Sequence, residues 1–170
     1  LVAIVASSSS HRAQEQAARC LWHLASTVES QLAIADAGGV PPLVTMLMGE
    51  GARAPELASV TLRRLAQGNP RVSTLVGEAG GITPLVQLLT SGSSYAQQQA
   101  AASLSEMALL PDNRTAIANA GGIPPLVKLL TVPTQGTAEL AARALGNLAR
   151  DNDSVPEHVA AAIEAVRKKA

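Results

Sequence analysis

The single cysteine, Cys20, stands three residues before His23, a spacing that puts both side chains on one side of a helix turn, as a nucleophile and its base would need. No third group is placed to orient the imidazole, and small Ala-like helix positions accept Cys readily, so the pair reads as structural. The histidines His11, His23 and His158 are too scattered for metal ligation. Gly-Gly pairs at 38, 80 and 121 are not phosphate loops, because no Lys-Ser/Thr follows them and no strand pattern precedes them. The sequons at Asn113 and Asn152 read as fortuitous without a secretory signal, and Arg167-Lys168-Lys169 suits the cation-favouring end of a helix. These residues give no catalytic site, no metal site and no cofactor.

The rest of the composition narrows the classes further. Thirteen basic residues balance thirteen acidic ones, so the positive excess that counterion release draws on is missing and nucleic acid is not an expected partner. One Trp, one Tyr and no Phe leave few rings on which bases could stack. The apolar run Leu1 to Ala6 is far shorter than the roughly 18 residues of a membrane span, so no membrane insertion by this chain is expected. A lone thiol fits a reducing compartment, and the expected location is cytoplasmic or nuclear.

What must position any functional surface is an internal repeat. The phrase Ala37-Gly38-Gly39-Val40-Pro41-Pro42-Leu43-Val44 returns at Ala79 to Val86 and at Ala120 to Val127, with the Gly-Gly pairs 42 and 41 residues apart. An independent series, Leu21, Leu62, Leu104 and Leu145, repeats at 41, 42 and 41. Each unit predicts three helices. A short one, such as Gln31 to Asp36 or Thr115 to Asn119, stops at the glycines; Pro then fits the first turn of a second, such as Pro42 to Met48 or Pro125 to Thr131. The third and longest is Ala-rich, as in Ala138 to Arg150.

The period, the Ala-Gly-Gly-Ile-x-Pro-Leu-Val turn and the Ala-x-Ala-Leu-x-Asn-Leu-Ala run at Ala142 to Ala149 resemble the armadillo repeat over almost the whole chain. That resemblance implies an all-α, right-handed α-solenoid, here one domain with a partial repeat at 1–27, repeats at 28–68, 69–110 and 111–150, and a terminal helix at 151–170. Leu1 to Val5 aligns with a second helix, so the chain is expected to open inside a repeat, and Val155 to Lys169 is expected to be a cap or a further repeat's start. Self-association through open repeat ends is a corollary.

Counting from Asn147 as zero at about 100° per residue, positions −6, −5, −2, +1 and +2 form one stripe, Ala141, Ala142, Leu145, Leu148 and Ala149 in the last unit and Ala17, Ala18, Leu21, Leu24 and Ala25 in the first. This is the expected core. Positions −7, −4 and 0 lie within about 60° of one another on the opposite side. They hold Gln16, Arg19 and His23; Leu57, Val60 and Arg64; Gln99, Ala102 and Glu106; Leu140, Arg143 and Asn147.

In the armadillo family the matching face lines a concave groove where Asn at zero hydrogen-bonds an extended peptide's backbone and, in nuclear-import adaptors, Trp at −4 sandwiches Lys stems. Here only Asn147 keeps the Asn, and Arg19, Val60, Ala102 and Arg143 replace Trp, which disfavours a basic ligand. The resemblance therefore implies a non-catalytic adaptor or scaffold whose third helices hold an extended peptide or a helix. Gln16, Arg19, His23, Val60, Arg64, Gln99, Ala102, Glu106, Arg143 and Asn147 are the expected groove, and the arginines suit a protein or peptide with acidic and apolar residues. Trp22, at −1, is either an edge packing residue or a binding anchor. Two other readings stay open: the substrate-recruiting segment of a larger enzyme such as a U-box ubiquitin ligase, and a self-associating structural solenoid.

Overall fold

The computed structural model describes residues 1–7, 10–49, 51–132 and 135–150; the expected helix at 151–170 lies outside them. Eleven helices occupy the described residues: α1 (Val2–Ser7), α2 (His11–Leu24), α3 (Val28–Asp36), α4 (Val40–Leu47), α5 (Arg53–Ala66), α6 (Pro70–Glu78), α7 (Ile82–Ser91), α8 (Ser94–Met107), α9 (Pro111–Asn119), α10 (Ile123–Leu129) and α11 (Gln135–Leu148). They stack as three rows, α3, α6, α9; then α1, α4, α7, α10; then the long helices α2, α5, α8, α11, each packed on the next in its row. Among the described residues no single helix is long and apolar enough to cross a membrane.

Each repeat turns at its glycine pair, and the two glycines do different work. Gly38, Gly80 and Gly121 have φ of 77°, 77° and 74°, the left-handed region that L side chains avoid. Their neighbours send an N–H five residues back, Gly39 to Ile34 at 2.9 Å, Gly81 to Val76 at 2.9 Å and Gly122 to Ile117 at 3.0 Å. With the bond from the first glycine three residues back, this closes a Schellman motif and satisfies carbonyls at the helix end. The second glycine is required by space: a Cβ on Gly81 would stand 2.8 Å from Val76 Cγ1 and 2.9 Å from its carbonyl oxygen.

Helix starts differ from expectation in a regular way. α4 and α10 begin at Val40 and Ile123, two residues before the expected Pro42 and Pro125, because first-turn N–H groups have no intrahelical partner and tolerate proline there. α3 gains a turn through Thr27, whose hydroxyl accepts from Ser30 N–H at 3.2 Å in a capping box. α9 starts at Pro111, again an N-terminal proline, well before the expected Thr115.

The core follows the stripe. Leu21, Leu62, Leu104 and Leu145 are all buried, and alanines at Ala17, Ala58, Ala100 and Ala141 let the long helices approach. Two expected core residues are not buried. Leu24 is 53% exposed, unlike its buried equivalents Leu65, Met107 and Leu148, and Ala149 is exposed just past the end of α11.

Gly81→Ala is expected to lower unfolding free energy by about 2 kcal/mol through overpacking, and Gly80→Ala by about 1 kcal/mol through its backbone conformation alone. Urea denaturation of both variants checks this; an equal or reversed order would contradict the division of roles.

Candidate functional site

The face opposite the core is formed by α2, α5, α8 and α11, and neighbouring layers decide how much of it is open. Gln16, Arg19, His23 and Arg143 are exposed, while Arg64, Glu106, Asn147, Leu57 and Leu140 are half-buried. Val60, Gln99 and Ala102 depart from the expected free face, at 8%, 7% and 1% exposure. α5 and α8 are flanked by long helices on both sides, so short or inward-lying side chains sink beneath their neighbours. These three form floor, not rim.

The polar residues of the face reach sideways to the preceding layer. Arg64 Nε donates to the Ala25 carbonyl at 3.1 Å, and Asn147 Nδ2 to the Ser105 carbonyl at 2.9 Å. Arg143 Nε donates to Ser105 Oγ at 2.9 Å while its terminal nitrogen lies 3.6 Å from Glu106 Oε1. Asn147, expected to offer donor and acceptor to a peptide backbone, gives one of its two amide N–H groups to the Ser105 carbonyl of α8, while its second N–H and its Oδ1 have no hydrogen-bond partner among the described residues. The C-terminal half of the face is thus partly paired internally, and its arginine and glutamate offset each other.

The N-terminal half is different. Arg19 has no ion-pair partner among the described residues. Trp22 is half-buried, with the Arg64 guanidinium 6.0 Å above its ring centroid, the outer reach of a cation–π contact, and His23 edge-on at 4.6 Å between ring centroids. Its indole N–H is buried without a partner among the described residues, so stacking and packing, not a hydrogen bond, hold the ring. Trp22 borders a cavity of about 260 Å³ shared with Arg19, His23, Leu57, Val60 and Tyr95.

Tyr95 was not among the expected site residues. It precedes Glu106 by eleven positions, and eleven steps of about 100° return to within about 20° of zero, so it belongs to the same face one turn beyond −7. Its height is set by Ser93, which caps α8 by accepting from Ala96 N–H at 3.2 Å and donates to the Glu56 carboxylate of α5. A larger cavity, about 530 Å³, lies on another edge between Val5, His11, Glu15, Pro42 and Met46. Cys20 is exposed, and no group of three or more His, Cys, Asp or Glu gathers among the described residues.

The Armadillo/beta-catenin-like repeat family matches residues 69–109 and 111–150, which hold α6 to α8 and α9 to α11. An engineered protein of known crystal structure is 35% identical, covering 98% of this chain and 66% of its own, with a TM-score of 0.82. The chain carries armadillo repeats.

As an armadillo solenoid it spans just under two thirds of that engineered protein and 40% of a second one at 36% identity. A computationally designed armadillo repeat protein for modular peptide recognition superposes with a TM-score of 0.84 at 22% identity, covering 98% of this chain and 79% of its own. A designed armadillo repeat protein in complex with the peptide (KR)4 gives 0.82 at 23%, covering 97% and 68%. At these identities the likeness is one of fold. No curated protein matches the chain.

Arg64→Ala is expected to lower stability by about 1.5–3 kcal/mol, the range for a lost charge-assisted hydrogen bond, and to shift the emission of Trp22, the single Trp of the chain. Unchanged emission and midpoint would show that Arg64 is neither anchored at Ala25 nor stacked on the indole.

Proposed function

We propose that this armadillo solenoid is a non-catalytic protein-interaction module whose long-helix face holds an extended peptide carrying acidic and apolar residues. The observation that carries this reading is the pairing of an aromatic-walled cavity with an exposed Arg19 that has no ion-pair partner among the described residues. Rigid stacked layers present such a face without an ordering cost to the protein, which favours binding a flexible segment. Peptide recognition by designed armadillo proteins of the same fold supports the class of partner. The (KR)4 ligand of one of them is basic, whereas Arg19 and Arg64 on this face, neither ion-paired among the described residues, disfavour a basic peptide.

One observation favours a second reading. Leu1, Ile4, Leu24 and Val28 are 47%, 43%, 53% and 47% exposed around the first layer, a set of apolar side chains on which another copy could stack. Light scattering across a hundredfold concentration range separates the two: a constant monomer mass fits the peptide-binding module, and a rising mass fits self-association.

A panel of acidic-apolar and basic-apolar fluorescent peptides, titrated by anisotropy at low salt, is expected to give at least about tenfold tighter binding to the acidic set, weakening as salt screens the arginines. Equal affinities, or a preference for the basic set, would contradict the proposal.

A further inference from the structure

The chain contains one Trp and one Tyr and no Phe, and both rings, 73 residues apart in sequence, line the same cavity on α2, α5 and α8. Tyr95 stands 50% exposed at its rim, although nothing in the fold requires an aromatic there. Trp and Tyr dominate binding hot spots because they offer large rigid contact area at low entropic cost. At about 260 Å³ the cavity falls below the roughly 300 Å³ at which pockets for drug-sized molecules begin, so one side chain is a better fit than a free small molecule.

The charge around it has one sign. Arg19 lines the cavity, and the Arg64 guanidinium lies 6.0 Å from the centroid of the Trp22 ring that forms its wall. Of the one carboxylate on each contributing helix, Glu15 lies 3.0 Å from Arg53 and Glu106 pairs with Arg143, while Glu56 accepts from Ser93 and is not among the residues lining the cavity. An incoming carboxylate would meet Arg19 with no internal competitor.

We infer that this cavity is the anchor pocket of the peptide site, taking one aliphatic side chain of an extended segment while a carboxylate of that segment pairs with Arg19. The inference rests on the peptide-binding reading above and adds where on the face the ligand is held, and by what. Alternate residues of an extended strand point the same way, so the carboxylate belongs two positions from the aliphatic residue. The paired Arg143, Glu106 and Asn147 end of the face contributes neither anchor.

The test uses the single indole N–H resonance in a nitrogen–proton correlation spectrum of the full chain. The probes are acetylated, amidated nine-residue peptides in a Gly/Ser background bearing Leu and Glu two positions apart, Leu and Lys, or Ala and Glu. The Leu/Glu peptide is expected to shift the indole resonance saturably, with the other two at least about tenfold weaker. Tyr95→Ala should weaken it by about tenfold, and Arg19→Glu should invert the preference towards the Leu/Lys peptide; both sites are exposed, and circular dichroism checks that the helices persist. If the Leu/Glu peptide binds but moves only resonances of α11 and leaves the indole in place, the anchor pocket is wrong while peptide binding stands. If none of the peptides moves any resonance at millimolar concentration, both fail. An indole shift that depends on protein concentration without peptide would put a second copy in the pocket and overturn the inference.

Discussion

Everything on the functional face depends on how closely one long helix can approach the next. Alanines at Ala17, Ala58, Ala100 and Ala141 set that spacing, and the leucine series Leu21, Leu62, Leu104 and Leu145 fills the space behind it. Ser103 of α8 donates its hydroxyl to the Ser59 carbonyl of the preceding long helix at 3.4 Å, and Thr61, its equivalent in α5, donates to Leu57 of its own helix at 2.6 Å with the Ala18 carbonyl of the preceding long helix 3.3 Å away. A larger residue in the alanine row would push layers apart and break these contacts together, because close-packed interiors have no slack to absorb it. Layers also approach closely in the second-helix row, where a Cβ on Gly81 would stand 3.1 Å from Val44 of the preceding repeat.

That spacing has a chemical consequence. With layers so near, polar residues at the zero position can reach the backbone of the previous helix, and Arg64 and Asn147 do so. Each bond fixes the orientation of its side chain and leaves the Arg64 terminal nitrogens and the Asn147 Oδ1 without a hydrogen-bond partner among the described residues. In the proposed reading, recognition falls chiefly to Arg19, Trp22 and Tyr95, which line one cavity where α2, α5 and α8 meet. The fold thereby divides a uniform-looking face into a partly self-paired half and an open, cationic, aromatic half.

Much of the fold was legible because its determinants are local. The Gly-Gly pairs mark turns through backbone conformation, and the leucine period marks the core, so the three-helix units could be read from spacing alone. Helix starts were displaced by a few residues, as at Val40 and Ile123, because prolines in a first turn look like boundaries when they lie inside the helix. The site was less legible for a physical reason. A helical wheel places Val60, Gln99 and Ala102 on the open side, but their burial depends on the length of side chains from adjacent layers. The same wheel contained Tyr95, one turn past the positions read, and only the stacking of three layers shows that it faces Trp22 across a cavity. That Asn147 gives one amide N–H to Ser105 is a matter of register between repeats, which spacing within one repeat does not encode.

The central claim is that the ligand-holding part of this solenoid is the α2, α5 and α8 end of the long-helix face. Paramagnetic broadening by a nitroxide-tagged acidic, leucine-bearing peptide would map the bound position directly onto the protein. The account predicts broadening concentrated on residues of α2, α5 and the first turn of α8, with α11 little affected. Broadening centred on α11, or on the first- and second-helix rows, would contradict it.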